Sequence, residues 1–227
     1  MRIGILGTGI VGRTLATGFA ARGHNVALGT RGVDALMARV DPDSMGNPPF
    51  HDWHADHPDV GIATFTDAAA HGEMLVNATV GGGSIDALRL ASPPNIDGKV
   101  LIDTSNPLDF SQGFPPFLFV ANQDSLAEQI QRAFPAVRVV KALNTMSAAV
   151  MVDPGAVAGG DHTLFLCGND AAARSEVTTL LTDAFGWRDV LDMGDLTNAR
   201  ALEAYLLLWT RMMPVVGTHL FNVKVVR

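Results

Sequence analysis

The chain has 227 residues, room for one α/β domain of roughly 150 residues and a smaller remainder. Hydrophobic residues make up 48% and charged residues 17%, so a large core can be buried and disorder is excluded. A net charge of -7 without any compensating basic block excludes a sequence-independent grip on nucleic acid.

One cysteine, Cys167, excludes an intrachain disulfide and any cysteine-based zinc or iron-sulfur site, and fits a reducing, cytoplasmic setting. Met1 to Gly7 carries glycines inside a short apolar run and reads as a strand, not a signal peptide. No stretch reaches the roughly 18 uninterrupted apolar residues of a membrane span. Even Ala204 to Val216 is broken by Arg211 and Pro214. The expectation is a cytoplasmic protein whose partners are small molecules, with neither nucleic acid nor membrane among them.

Up to about Leu143, short β-branched runs alternate with helix-like stretches, the mark of βαβ units and a mostly parallel sheet. Strands are expected at Arg2 to Leu6, Asn25 to Leu28, Gly61 to Phe65, Met74 to Ala78, Val100 to Asp103 and Val137 to Ala142. Helices are expected at Ile10 to Ala21, Asp34 to Val40, Ser84 to Ala91 and Ser125 to Phe134. Two long connections, Asp41 to Asp59 and Pro107 to Gln123, are rich in Pro, Asp and Gly. The first reads as a surface insertion and the second, which follows a strand end directly, as a pocket wall. After Met146, strands are expected at Thr163 to Cys167 and Asp189 to Met193 around a helix at Ala171 to Phe185, with a last helix from Leu196 that stops at Pro214. The fold class is α/β, a doubly wound (Rossmann-type) sheet over residues 1–145 with a C-terminal α/β extension, 146–227, packed on it and not independent.

Gly7-Thr8-Gly9-Ile10-Val11-Gly12 is a GxGxxG that follows a strand and opens a helix. Its first glycine allows a tight turn, the second lets the backbone approach a pyrophosphate, and the third lets helix pack on strand. Phosphates would then sit at a helix N-terminus, where open N–H groups favour anions. The second strand ends Leu28-Gly29-Thr30-Arg31, with no acid to hold a ribose 2′-hydroxyl. A hydroxyl and a guanidinium stand there instead, suited to a 2′-phosphate, so NADP is expected over NAD. A second cluster, Gly81-Gly82-Gly83, follows the fourth strand and would converge on the same crevice.

These residues, with Asp103 to Pro107, Val140 to Thr145, Cys167 to Asp170 and Gly194 to Arg200, resemble the NADP oxidoreductases that use the deazaflavin coenzyme factor 420. They are also similar to the related reductase domain of the six-transmembrane metalloreductases. The resemblance covers almost the whole chain. It implies that Thr8, Ile10 and Val11 line the pyrophosphate turn, that Thr30 and Arg31 hold the 2′-phosphate, and that Thr79 and Val80 flank the cofactor. It further implies that Asn106 and Ala142 border the nicotinamide. Where the factor-420 enzymes commonly carry a lysine a few residues after the arginine, this chain has Val33-Asp34-Ala35-Leu36. The Ser105-Asn106-Pro107 and Lys141 to Asn144 motifs stand closer to the metalloreductase-like branch.

No serine, cysteine or histidine constellation marks a nucleophile, and Cys167 in an apolar strand reads as a core residue. Hydride transfer between a nicotinamide and a flavin-like ring needs alignment more than acid-base groups. Lys141 and Asn144, at the end of the sixth strand, are the polar residues expected near the rings; Lys141 would stabilise negative charge there, or else sit in a structural ion pair. His51, His54 and His57 crowd one short segment with two aspartates, but Pro48, Pro49 and Pro58 frame it as a loop, and no metal is expected. Leu202, Leu206, Trp209 and Met213 form an apolar stripe for core packing, a pocket lid or a homodimer face. The leading reading is an oxidoreductase passing hydride between NADP(H) and a deazaflavin or flavin coenzyme. The alternatives are an NADPH-dependent reductase of a small carbonyl or imine, for which the only tyrosine is Tyr205, and a non-enzymatic NADP(H) sensor.

Overall fold

The computed structural model describes residues 1–42, 46 and 48–227. In chain order the elements are β1 (Arg2–Leu6), α1 (Ile10–Ala20), β2 (Asn25–Thr30), α2 (Val33–Met37), α3 (Phe50–Ala55), β3 (Gly61–Thr64), α4 (Phe65–His71) and β4 (Met74–Asn77). There follow α5 (Ser84–Ala91), α6 (Pro93–Ile96), β5 (Val100–Asp103), β6 (Leu108–Asp109), β7 (Phe117–Leu118), α7 (Leu126–Ala133) and β8 (Arg138–Ala142). The last are α8 (Ala148–Val152), β9 (Thr163–Gly168), α9 (Ala171–Phe185), β10 (Asp189–Asp192) and α10 (Ala199–Val216).

Eight strands form one sheet in the order β10-β9-β8-β5-β4-β1-β2-β3. Neighbours are parallel throughout except β8 and β9, which run antiparallel. Chain order reverses between β1 and β4, and a crevice opens beyond the carboxyl ends of strands at such a switch point. The strands alternate their side chains between two faces, as period-two geometry requires. Ile3, Ile5, Val26, Leu28, Val100 and Ile102 enter one core with Leu15, Phe19 and Trp187. Leu6, Ala27, Leu75 and Leu101 enter the other with Leu88, Ile130 and Leu202. With helices over both cores, the fold is a Rossmann-like α/β sheet.

Several elements differ from the sequence reading. Phe65 opens α4 and does not end β3: Thr64 caps the helix, its hydroxyl accepting the Asp67 amide N–H at 3.1 Å. A seven-residue, alanine-rich helix shows no apolar period, which is why α4 escapes pattern reading. The histidine segment is a helix, α3, and not a loop, although residues 43–45 and 47 of the insertion lie outside the described residues. The segment 107–123 carries the short antiparallel pair β6 and β7. The last helix passes through Pro214 and ends two residues later, at Val216, followed by Gly217 in a left-handed cap whose N–H meets the Met213 carbonyl. So close to a helix end, a proline removes only one main-chain hydrogen bond, and the remaining turn persists. No described helix is long and apolar enough to cross a membrane.

Candidate functional site

The crevice over the β1/β4 switch has a volume of about 670 Å³, within the range of small-ligand sites. Its walls come from the turn after β1 (Gly7, Thr8, Gly9), the end of β2 with Arg31, α2, and the turn after β4.

Glycine identity is forced at two of these places. Gly7 sits at φ +119, and a Cβ there would lie 2.5 Å from the Ala78 carbonyl oxygen. A Cβ on Gly12 would lie 1.9 Å from the Gly7 carbonyl oxygen, so α1 can approach its own entry turn only without a side chain. At Gly9 nothing lies within 4 Å of the same position, and the space above it is open to a ligand. Gly9 also precedes α1 without any side-chain cap, so the open N–H groups of the first turn face that space. This cradle fits the pyrophosphate of a dinucleotide. Of the second glycine cluster, Gly83 lines the crevice, whereas Gly81 is packed against the Asn106 carbonyl, at 2.1 Å from a built Cβ.

The turn after β1 is braced from outside by Arg13. Its Nε donates to the Thr8 carbonyl and its Nη1 to the Pro48 carbonyl, both at 2.9 Å, and the guanidinium lies over the rings of Phe50 and Trp53 at 5.0 and 5.9 Å. The insertion helix α3 is thereby tied to the pyrophosphate turn. Its histidines are committed elsewhere: ring nitrogens of His51, His54 and His57 lie 3.1, 3.1 and 2.7 Å from the carbonyl oxygens of Arg39, Val60 and Trp53. Among the described residues no group of three His, Cys, Asp or Glu side chains could hold a metal ion.

Thr79 is fixed by a buried polar chain. Its hydroxyl donates to Asn77 Oδ1 at 2.7 Å, and Asn77 Nδ2 donates to Asp103 Oδ1 at 2.8 Å. Asp103 Oδ2 meets Lys141 Nζ at 2.9 Å, and Lys141 meets Glu203 Oε1 at 2.9 Å. Lys141 also donates to the Ser105 carbonyl. Burial works against the Lys141 charge, but the two carboxylates and their hydrogen bonds outweigh it and hold its pKa above the ordinary lysine value. The surplus negative charge of the cluster is met by the main-chain N–H groups of Leu126 and Ala127, which donate to Glu203 at 2.8 and 3.1 Å. Glu203 therefore also seats the N-terminus of α7.

Of the residues singled out in the sequence, Gly7, Thr8, Gly9, Thr30, Arg31, Thr79 and Val80 share the crevice wall. Ile10, half exposed at 49%, borders a separate groove along α1; Val11 and Gly12 lie inside the first turns of that helix. Lys141 does not stand open to the rings but in the fully buried ion-pair cluster, the structural alternative named above. Ala142, with no exposed surface, ends β8 beneath the strained turn at Leu143, whose φ is +64. Asn106 and Asn144 pair with each other: Asn144 Nδ2 donates to Asn106 Oδ1, and Asn106 Nδ2 donates to the Asn144 carbonyl, both at 2.9 Å. Asn144 reaches α10 as well, donating to the Leu202 carbonyl at 3.1 Å.

Sequence reasoning missed Arg13, Arg39 and Glu203. Arg39 lines the crevice, but in sequence it is a lone cation after Leu36-Met37-Ala38, and only the folding of α2 along the wall reveals it. The Pro48, Phe50 and Trp53 contacts of Arg13 and the Lys141 contact of Glu203 lie far away in sequence and leave no local signal. Two groups are excluded from acid-base or nucleophilic work. Burial pushes the Cys167 thiol up to about 12, against the pull of Lys141. Burial also raises the Tyr205 phenol, which is on α10 and outside the crevice wall.

A family model described as NADP oxidoreductase, coenzyme F420-dependent, matches residues 2–107. A candidate F420-dependent NADP-reductase from Arthrobacter sp. FB24 is 52% identical, each chain covering 100% of the other, with a TM-score of 0.94. Hypothetical protein SMa0349 from Sinorhizobium meliloti is 26% identical over 87% of this chain and 86% of its own, with a TM-score of 0.64. Metalloreductase STEAP3 of Rattus norvegicus is 29% identical over 215 residues, 94% of this chain, and the chain spans 37% of that relative's length. Fold, crevice and likeness together define an NADP-dependent oxidoreductase with a Rossmann-like fold. The chain belongs to the coenzyme F420-dependent NADP oxidoreductase family.

Proposed function

We propose that the protein passes hydride between NADP(H) and a deazaflavin or flavin coenzyme. The observation that carries this reading is a crevice that pairs an open pyrophosphate cradle at Gly9 with the exposed Arg31 at the acid-free end of β2. When bound, the nicotinamide and its partner ring would supply the redox chemistry, a hydride passing between the nicotinamide ring carbon and the acceptor ring, at carbon in a deazaflavin and at nitrogen in a flavin.

This chain's own residues bind and align. The first turn of α1 receives the pyrophosphate, Thr30 and Arg31 the 2′-phosphate, and Thr79 and Val80 bound the crevice toward β4. Asn106, held by its pairing with Asn144 beyond the ends of β5 and β8, would border the nicotinamide. The hydride step itself needs no protein acid, because the anionic reduced ring can take its proton from solvent. Among the described residues the one carboxylate of the crevice wall, Asp86, is tied to Arg89 at 2.7 Å. The 52% identical relative, named for F420-dependent NADP reduction, favours the deazaflavin as acceptor.

The reading is tested by mixing the purified protein anaerobically with NADPH and, in turn, oxidised factor 420, flavin mononucleotide, FAD, and a panel of aldehydes and cyclic imines. Bleaching of the deazaflavin or flavin absorbance supports it. NADPH consumption only with aldehydes or imines overturns it in favour of a small-molecule reductase, and tight NADPH binding without turnover favours a sensor.

A further inference from the structure

We infer that Arg39 is a second specificity-determining cation of the crevice, acting with Arg31 on the nucleotide's 2′-phosphate, and that the helix α3 holds its main chain there. The inference rests on the NADP reading above and adds to it a residue and a role for the insertion.

Arg31 and Arg39 both line the crevice, both are exposed, and neither guanidinium has a partner among the described residues. That is unusual in this chain. Apart from Arg188, every other described arginine donates to an acidic side chain or a main-chain carbonyl, as Arg2 does to Glu73, Arg22 to Ala184, Arg138 to Asp170 and Arg200 to Glu128. Arg188 does not line the crevice. In a protein of net charge -7, with acidic groups to spare, two uncommitted guanidiniums on one wall mark a place reserved for an external anion. A phosphate monoester carries a charge of about -1.5 to -2 at neutral pH, so one arginine leaves it undercompensated and two match it.

The main chain at Arg39 is placed by two contacts. Its N–H donates to the Leu36 carbonyl at 3.3 Å, closing α2, whose Ala35 and Leu36 lie on the same wall. Its carbonyl lies 3.1 Å from His51 Nδ1 on α3. That helix is anchored in turn by Phe50 and Trp53 beneath Arg13, which also holds the Thr8 carbonyl. The helix α3 thus links the main chain at Arg39 to the pyrophosphate turn through Arg13.

The test compares adenosine 2′,5′-bisphosphate with adenosine 5′-monophosphate, which differ only in the 2′-phosphate, by calorimetry on the wild-type, Arg31→Ala, Arg39→Ala and doubly substituted proteins. Arg39→Ala should weaken the bisphosphate roughly tenfold, as loss of one charge-assisted contact does, and leave the monophosphate within about twofold. Its bisphosphate affinity should also fall less steeply with salt than the wild type's. Unchanged bisphosphate affinity in Arg39→Ala, with Arg31→Ala weakened, overturns the role of Arg39 and spares the NADP reading. A wild-type protein that binds both nucleotides equally overturns that reading itself. Arg39 is exposed, so misfolding does not confound the comparison, and equal thermal midpoints for variant and wild type verify it.

Discussion

The Lys141 ammonium meets the Glu203 carboxylate at 2.9 Å with 0% and 2% of the two side chains exposed, joining β8 to the last helix of the chain. Asp103 completes the cluster from β5, and through Asn77 it reaches Thr79 on the crevice wall. Fold and site are therefore coupled by one run of buried polar groups, in which removing any member strands the others.

Lys141→Met should cost about 3–5 kcal/mol of stability, because the buried carboxylates of Asp103 and Glu203 lose the cation that pairs with both. Urea denaturation reads the loss. In the fraction that folds, the KM for NADPH should stay within about twofold, since the ammonium does not reach the crevice. A collapse of kcat with stability unchanged would instead show Lys141 acting on the reacting atoms.

Two glycines of one motif should fail in different ways. Gly12→Ala places its Cβ 1.9 Å from the Gly7 carbonyl oxygen and must push α1 away, lowering both stability and cofactor affinity. Gly9→Ala meets no protein atom within 4 Å, so its thermal midpoint should match wild type while NADPH affinity falls. Equal loss of stability in both would contradict the open cradle.

Cys167 should resist thiol reagents in the native state, being fully buried with its pKa pushed up to about 12. Its reaction with a disulfide reagent at pH 8 should follow the rate of global unfolding. Rapid stoichiometric labelling of the folded protein would show that β9 opens locally.

The pH dependence of stability should be steep at both extremes. Hydrogen bonds from Arg132 and Arg138 hold the carboxyls of Asp124 and Asp170 down to about 2. Depressed folded values mean that their contribution is present above the ordinary 3.8 and is lost as pH falls toward about 2. At the alkaline end the sign reverses. The raised value of Lys141 gives a contribution that is full below 10.5 and lost as pH rises beyond its folded value. Asp124→Asn should flatten the acid limb and leave the alkaline limb unmoved, read by thermal midpoints from pH 2 to 11.

Much of the architecture was legible because it rests on local rules. The strand alternation of Ile3, Ile5 and Leu6, the glycine motif and the missing acid after Leu28 each announce their role within a few residues. The boundaries of β5, α5 and α9 follow from period and caps alone. What stayed hidden depends on groups distant in sequence. Lys141 could be assigned to the rings or to an ion pair only when Glu203, 62 positions later, came to rest beside it. Arg39 looked like any surface cation until α2 and the insertion helix turned it toward the crevice. The helix α3 forms despite its flanking prolines because Pro49 ends before its first turn and Phe50 and Trp53 gain a buried seat against Arg13.

The central claim is direct hydride transfer between NADPH and a deazaflavin or flavin ring, and isotope transfer tests it most directly. NADPH deuterated on the transferring face of the nicotinamide is mixed with the protein and oxidised factor 420, and separately flavin mononucleotide, under anaerobic conditions. For the deazaflavin, whose accepting carbon does not exchange with solvent, the account predicts deuterium in the reduced coenzyme and a primary isotope effect on single-turnover bleaching. With the flavin, whose accepting nitrogen exchanges its hydrogen, only the isotope effect is read. Absence of any turnover with either ring, while the same protein oxidises the labelled NADPH against an imine or aldehyde and delivers deuterium to that carbon, would contradict it.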